Sequence, residues 1–196
     1  MALSTATDPY ELRFGTGRIC LDLIATTHPM ERLDCVEALR AWITGSGLVP
    51  SGTPLAHADA LWLTGFRELR GQTTRLVRSR SAPGTHPYDL ALARVNGLAV
   101  AAPPAPRAVH GEDGALVREL TGPPDCAALL GALARDAVEL LTDPVARASL
   151  RQCEGDNCPI VYVDTSRGRR RRWCSSEICG NRERVARHRR RAALAR

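Results

Sequence analysis

The sequence predicts an α+β fold class: a mainly helical N-terminal domain with one or two β-hairpins, followed by a small C-terminal four-cysteine zinc finger of knuckle, hairpin, knuckle and helix. Apolar residues recur at helical spacing through most of the first 150 residues. Alternating residues flank glycine-centred turns, which is typical of hairpins. Two Cys-x4-Cys pairs, the spacing of a metal site, lie near the C-terminus. We therefore divide the chain into residues 1–150 and residues 151–196.

The charge is distributed unevenly between these two parts. The 196-residue chain has a formal net charge of +6. From residue 151 onward it has 13 arginines and 5 acidic residues, whereas residues 1–150 have 14 arginines and 16 acidic residues. Because all the excess positive charge lies in the C-terminal part, we expect a polyanion to bind there.

The first elements are a loose leader over residues 1–9 and, over residues 10–27, a hairpin or a strand running into a helix. We expect Cys20, Leu21, Leu23 and Ile24 to be buried. No signal peptide precedes Asp8, and no apolar run is long enough to cross a bilayer, which predicts a cytoplasmic protein without membrane contact.

Three helices are predicted next. Apolar residues at helical spacing indicate a helix over residues 33–43, with Cys35 inside it. Thr53-Pro54 is a good start for a second helix, which continues to about Val77 with interruptions near Gly65 and Gly71. A third helix is expected over residues 87–95 and is closed by Asn96-Gly97.

The remaining N-terminal elements are a hairpin and two helices. Residues 107–110 and 115–120 alternate around a turn at 111–114. Residues 125–141 then predict an apolar helix. Asp143-Pro144 begins a short helix that reaches Leu150 and leads directly to Cys153.

In the C-terminal module, each cysteine pair encloses a turn, which we call a knuckle: residues 153–158 and residues 174–179. Residues 159–164 have strong β composition, and we expect residues 169–173 to form the return strand. A helix is predicted over residues 182–195, with Asn181 as its cap.

Four thiolates at this spacing favour one structural zinc ion, because zinc accepts soft ligands in tetrahedral geometry. An iron–sulfur cluster and disulfides are the alternatives. Cys126 lies in an apolar helix and His188 is nine residues beyond the last pair, so neither is an expected ligand. A segment of this size buries little apolar surface, so metal binding, at about 10–16 kcal/mol, would supply much of its folding energy. The predicted ligands are Cys153, Cys158, Cys174 and Cys179.

Arginines cluster on the predicted hairpin and on the last helix. Guanidinium groups donate two hydrogen bonds at once to phosphate or to guanine, so we predict a nucleic-acid interface. A solvated basic tail is the alternative. The predicted contacts are Arg167, Arg169, Arg170, Arg171, Arg172, Arg182, Arg184, Arg187, Arg190 and Arg191.

These residues closely resemble the CGNR zinc-finger domain. The resemblance lies in the two cysteine pairs, in the motif around Tyr162, Asp164, Ser166 and Arg167, in Arg172-Trp173-Cys174-Ser175, and in Cys179-Gly180-Asn181-Arg182. The resemblance implies a bound zinc ion, DNA as the partner and an N-terminal ABATE-type domain, as in proteins described as stress-induced bacterial transcriptional regulators. Arg13-Phe14, Gly17 and Leu21-Asp22 resemble the opening motif of that domain, but Ala25 stands where its L-D-x-x-N-T pattern has asparagine.

We therefore expect a bacterial transcriptional regulator that binds double-stranded DNA at the nucleoid, in the cytoplasm. The N-terminal domain would sense a small-molecule effector, form a homodimer, or both. The alternative is an RNA-binding or ribosome-associated zinc protein. We expect no enzyme, because the candidate groups show no nucleophile–base or metal spacing: Asp22, His28, His57, His86 and His110.

Overall fold

A computed structural model describes residues 12–78 and 84–194. The predicted leader and Tyr10 lie outside these residues. The described part contains seven α-helices, two pairs of antiparallel strands and one π-helical turn. The helices are α1 (Ile19–Ala25), α2 (Val36–Gly45), α3 (Ala60–Arg78), α4 (His86–Ala99), α5 (Cys126–Thr142), α6 (Pro144–Ala148) and α7 (Asn181–Leu194). The strands are β1 (Pro106–His110), β2 (Leu116–Leu120), β3 (Leu150–Gln152) and β4 (Val161–Val163), and the π-helical turn is Ser176–Gly180. The predicted fold class is confirmed.

Helices α1, α3, α4 and α5 form the main core. Helix α5 presents an apolar stripe that packs against α4, α3 and α1. Trp42 of α2 meets Phe66 of α3 edge-to-face, with ring centroids 6.1 Å apart and both side chains fully buried. Helix α1 is almost entirely buried, so the predicted burial of Cys20, Leu21, Leu23 and Ile24 is confirmed.

Helix α1 is tied to α5 by polar contacts as well as by packing. Arg18 forms an ion pair with Asp136 at 2.9 Å, and the Cys20 backbone N–H donates to the same carboxylate. Residues 12–18 form no strand and lead through turns directly into α1, so the predicted hairpin or strand is not found among the described residues of this stretch.

Two helix starts were predicted wrongly. Helix α2 begins at Val36, and Cys35 lies before it as an exposed N-cap, with its Sγ accepting a hydrogen bond from the Ala38 N–H. Helix α3 begins at Ala60 rather than at Thr53-Pro54. The Asp59 carboxylate accepts from two N–H groups of its first turn, whereas the Thr53 hydroxyl donates to the Pro50 carbonyl in a separate turn.

The expected breaks at glycines are also wrong. Helix α3 continues through Gly65 and Gly71, and α4 continues through Asn96-Gly97 to Ala99. At Gly65, a Cβ atom would lie 3.1 Å from Leu130 Cδ1, so this glycine lets α3 approach α5 closely. Burial of Ala91 and Val95 stabilises α4 against the weak local preference of its glycine.

Strands β1 and β2 form the predicted hairpin, with Ala108 opposite Arg118. The predicted helix over residues 125–141 is found as α5, and Asp125 caps it, since its carboxylate accepts from the Ala128 N–H at 2.7 Å. After α6, however, the chain does not run directly to Cys153. It first forms β3, which pairs with β4, Arg151 lying opposite Tyr162.

Candidate metal centre and nucleic-acid interface

The structure brings the four predicted cysteines into one buried cluster. Their ligand atoms all lie within 4.8 Å of one another. The sulfur of Cys174 lies 3.8 Å from that of Cys158 and 3.6 Å from that of Cys179. A tetrahedral zinc with Zn–S bonds of about 2.3 Å separates its sulfurs by about 3.8 Å. The donor set and its spacing therefore fit one zinc ion.

The first knuckle is shaped by turn residues between its cysteines. Asn157 adopts a left-handed backbone with φ 53°. A Cβ atom at Gly155 would lie 3.1 Å from Cys179 Cβ and 3.2 Å from its sulfur, so any other residue here would crowd the second pair. The Gly155 and Cys174 N–H groups donate to the Cys153 sulfur at 3.4 and 3.3 Å. Such donors stabilise a thiolate in a metal site.

The second knuckle is closed by the π-helical turn. The Ser175 hydroxyl accepts from the Ile178 N–H, and the Gly180 N–H donates to the Ser175 carbonyl. Ser175 is therefore the cap, and the prediction of Asn181 as cap is wrong, because Asn181 already has helical backbone angles. The π-helical turn runs directly into α7, so the metal centre fixes where this helix begins.

The predicted return strand over residues 169–173 is wrong. Strand β4 pairs with β3 instead. Arg169 adopts a left-handed backbone with φ 48°, which interrupts an extended conformation. Isolated hydrogen bonds hold this segment in place instead of a strand ladder: the Glu154 N–H donates to the Arg172 carbonyl, and the Tyr162 hydroxyl donates to the Arg171 carbonyl.

Hydrogen bonds among the four thiols move their pKa values apart. Hydrogen bonds with the other three thiols lower the pKa of Cys153, and the bond with Cys158 is the largest cause. For Cys158, the bond with Cys153 raises the pKa, but those with Cys174 and Cys179 lower it to about 7. The pKa values of Cys174 and Cys179 are raised, with the bond to Cys153 as the first cause. Sulfurs this close ionise together only around a cation, which zinc supplies.

Apolar side chains enclose the metal centre. Tyr162 is fully buried and Ile160 nearly so, and Trp173 packs against the same cluster. Ala25, at the end of α1, also belongs to this cluster. The position at which the sequence departs from the L-D-x-x-N-T pattern therefore lies against the metal centre.

Strand β4 joins the metal centre to the helical core. Tyr162 faces the cysteines, whereas Val163 packs into the main core. The Val163 N–H donates to the Thr16 carbonyl at 2.7 Å, and the Asp164 N–H donates to the Ser149 carbonyl at 2.9 Å. Arg78, at the end of α3, donates to the Pro159 carbonyl beside Cys158 at 2.7 Å.

Arg171 differs from the other predicted nucleic-acid contacts because its guanidinium group donates to three backbone carbonyls. It donates to the Trp173 carbonyl at 2.8 Å, to the Gly15 carbonyl at 3.2 Å and to the Cys174 carbonyl. It also stacks on the Tyr162 ring, 4.5 Å from the centroid. Sequence reasoning missed this role, because the run of four arginines from Arg169 to Arg172 carries no signal that singles out one of them.

The other predicted arginines divide into two groups. Three have partners: Arg172 pairs with Glu154 at 2.5 Å, Arg190 pairs with Glu183 at 2.9 Å, and Arg184 donates to the Asn181 side chain. The second group is exposed, and its side chains make no hydrogen bond or ion pair in the described part of the chain: Arg167, Arg169, Arg170, Arg182, Arg187 and Arg191.

The other residues considered from the sequence are not among the four residues of the cysteine cluster. Cys126 and His188 are not part of it. Asp22 accepts a hydrogen bond from the Thr16 N–H, and burial raises its pKa. His57 bonds to the Pro124 carbonyl, and His110 lies on β1. Within the described residues, no helix is both long enough and apolar enough to cross a membrane.

A four-sulfur zinc site beneath a short hairpin, followed directly by a basic helix, defines a zinc-finger protein with an N-terminal helical region. Residues 149–192 match the CGNR zinc finger. The chain belongs to the ABATE family, described as "Putative stress-induced transcription regulator", which matches residues 17–144. A search of curated proteins finds no significant match. Together the cluster and the finger match identify a single zinc as the cofactor.

Proposed function

We propose that this transcription regulator binds double-stranded DNA through the exposed arginines of its zinc finger. The observation that carries the proposal is the set of six predicted arginines without partners in the described residues: Arg167, Arg169, Arg170, Arg182, Arg187 and Arg191. The finger segment has 13 arginines and only 5 acidic residues. So many like charges on a small surface repel one another unless a polyanion neutralises them.

The zinc centre would give this basic surface a fixed shape. The turn that carries Arg167, Arg169 and Arg170 ends at Arg171, whose side chain donates to the Cys174 carbonyl. The helix that carries Arg182 and Arg187 follows the π-helical turn, which contains Cys179. Along α7, Arg184, Arg187 and Arg191 share one face by helical spacing. A rigid row of guanidinium groups can dock on phosphates, which sets the register of a protein on a duplex.

The N-terminal helical domain, taken as residues 1–150, would sense an effector or form a homodimer, and residues 151–196 would bind DNA. The contacts through Val163 and Arg78 support a mechanical connection between the two parts. We place the protein's action at the nucleoid in the cytoplasm. All four thiolates are needed for the zinc, which leaves no open position for a catalytic water and supports a non-enzymatic role.

The salt dependence of binding tests the proposal. For the zinc-loaded full chain and a random-sequence duplex, the logarithm of affinity should fall linearly with the logarithm of salt concentration, with a slope of about −0.9 per phosphate neutralised. Arg187→Ala should reduce the slope by about 0.9. Arg190→Ala, whose side chain is paired with Glu183, is the matched control and should reduce it less. Affinity independent of salt would contradict the proposal.

Competition at matched salt separates DNA from RNA as the partner. A duplex DNA and a structured RNA of equal length should be titrated against the same labelled complex. We expect the DNA to displace the probe at the lower concentration. Displacement mainly by the RNA would favour the RNA-binding alternative and would leave the role of the arginines intact.

A further inference from the structure

A cleft of about 670 Å³ lies between α3, α4 and α5, and none of the residues that line it belongs to the zinc finger. Its volume is within the range of small-molecule sites. Leu69, Leu98 and Leu130 supply apolar walls, and Gly65, Ala93 and Gly97 leave space between the helices. The polar residues that line it are Glu68, Gln72 and Arg94.

These polar groups lack partners within the described part of the chain. The Gln72 Oε1 atom is buried without a hydrogen bond, which costs free energy unless a donor reaches it. Glu68 and Gln72 are four residues apart on α3 and so share one face. Arg94 lies on α4, the opposite wall. One wall therefore offers two acceptors and the other offers a cation.

We propose that this cleft binds a small zwitterion with an apolar body, the chemistry of a free apolar amino acid. Its ammonium group would donate to Glu68 and to Gln72 Oε1, and its carboxylate would accept from Arg94. Its apolar side chain would lie against Leu69, Leu98 and Leu130. A ligand with only one of the two charges leaves the other wall without a partner.

Helix α3 connects this cleft to the zinc finger. It carries Leu69 and Gln72 in the cleft and, at its end, Arg78, which donates to the Pro159 carbonyl beside Cys158. The buried Arg70 follows Leu69 on α3 and forms an ion pair with Glu31 at 2.5 Å. Arg70 also donates to the hydroxyl of Thr26. The residue before Thr26 is Ala25, which packs against the metal centre. A ligand that changes the packing of α3 against α4 would act on the finger, so the amino acid would be an effector. This part of the proposal rests on the proposed DNA-binding function.

Calorimetric titration of the zinc-loaded full chain tests the site without DNA. The probes are L-phenylalanine, L-leucine, 3-phenylpropionate, which lacks the ammonium group, and phenethylamine, which lacks the carboxylate. We expect a Kd of about 1 mM or tighter for at least one of the two amino acids and weaker binding of both single-charge probes. Arg94→Gln should weaken amino-acid binding by about tenfold or more. Absence of binding by both amino acids, or equal binding of phenethylamine, would overturn the site.

Two glycine variants provide a matched pair. Gly97 and Gly71 both lie within helices, and a Cβ atom at either would meet no heavy atom within 4 Å. Gly97 lines the cleft and Gly71 does not. Gly97→Leu should therefore fill the cleft and abolish binding, whereas Gly71→Leu should leave binding unchanged. Equal effects of the two variants would overturn the assignment.

The effector role has a separate readout. DNA affinity, measured with and without the amino acid that binds, should change by about fivefold or more, in the range of typical couplings between sites. An unchanged affinity would overturn the effector role. Failure of the chain to bind DNA at all would instead overturn the proposed function, and the calorimetric result would still decide the ligand site.

Discussion

Arg171 shows how one residue in a run can have a different role from its neighbours. Its guanidinium group bonds to three backbone carbonyls, one of them in the N-terminal region, whereas Arg170 has no side-chain hydrogen bond or ion pair in the described residues. Lysine keeps the charge but lacks the planar set of donors that arginine uses for several acceptors. Arg171 is thus expected to position the second knuckle, and Arg170 to remain free for phosphate.

Substitution of each arginine by lysine separates these roles. Arg171→Lys should lower the free energy of unfolding of the zinc-loaded chain by about 2 kcal/mol, because several charge-assisted hydrogen bonds are lost. Arg170→Lys should change it by less than about 0.5 kcal/mol, as for an exposed surface residue. Denaturant unfolding of both variants measures the difference. Equal stability of the two would argue against the positioning role.

Gly155 gives a second test at single-residue scale. Gly155→Ala would place a Cβ atom 3.2 Å from the Cys179 sulfur and 3.4 Å from the Cys153 sulfur, so the cluster must shift. We expect zinc affinity, measured by competition with a chelator, to fall by about tenfold or more. Gly168→Ala is the control, because its nearest contact is the flexible Arg170 side chain at 3.6 Å. Unchanged zinc affinity in Gly155→Ala would mean that the knuckle tolerates a wider spacing.

Among the elements, the turn after β4 depends on one buried carboxylate. The Asp164 carboxylate accepts from the Ser166 hydroxyl at 2.6 Å, from the Ser166 N–H at 2.9 Å and from the Arg171 N–H at 3.1 Å. The hydrogen bond from the Ser166 side chain is the first cause of the lowered pKa of Asp164. A carboxylate with a lowered folded-state pKa stabilises the fold above its unfolded-state pKa. That contribution is lost as the pH falls through the folded value.

Ser166→Ala should therefore weaken the turn in a pH-dependent way. Loss of the hydroxyl raises the folded-state pKa of Asp164 toward its unfolded value. The stabilisation at neutral pH becomes smaller, and acid unfolding of the zinc-loaded chain should begin at a higher pH. Thr165→Ala, at an exposed neighbour whose side chain makes no hydrogen bond in the described turn, is the control. A pH titration followed by circular dichroism measures the shift, and identical acid transitions for the two variants would contradict it.

Element positions were predictable wherever a local signal agreed with packing. The apolar run over residues 125–141 and the alternation around residues 111–114 gave correct elements, because helical spacing and turn chemistry act locally. The start of α3 was not predictable in this way, since Thr53-Pro54 and Asp59 are both good caps. Strands β3 and β4 flank the first knuckle and pair with each other. The composition of residues 169–173 does not exclude a strand, so the sequence could not show that β4 pairs with β3 rather than with these residues.

At the scale of the whole molecule, the sequence was enough to predict that the four cysteines form one metal site. It was not enough to predict how the finger is attached to the helical region. Ligand spacing is a local property, so the metal centre followed from the sequence alone. The sequence also predicted that the metal would fold the finger largely by itself. The structure adds a second source of stability, because Val163 belongs to the helical core and Thr16 supplies a backbone acceptor to β4.

Strand β4 contacts both the metal centre and the helical core, so loss of zinc should lower the stability of both parts of the chain. Cys174→Ser removes one of four thiolates, so zinc binding should fall sharply and residues 153–180 should lose protection from hydrogen exchange. Helices α3, α4 and α5 should keep their helical signal, because their core packs without the metal. Their thermal midpoint should nevertheless fall by a few degrees, since Val163 and the bond to Thr16 would no longer be held in place.

Cys35→Ser is the matched control for this variant. Cys35 is exposed and caps α2, and serine is itself a good cap, so zinc content, exchange protection and DNA binding should remain those of the unmodified chain. The decisive comparison is the midpoint of helical unfolding in the two variants. If Cys174→Ser loses zinc but keeps the midpoint of Cys35→Ser, the finger is an independent module, and its contacts with α3 and β4 do not couple it to the proposed effector site. A lowered midpoint, by contrast, means that the metal centre and the helical core are one cooperative unit, as the proposed coupling between ligand and DNA requires.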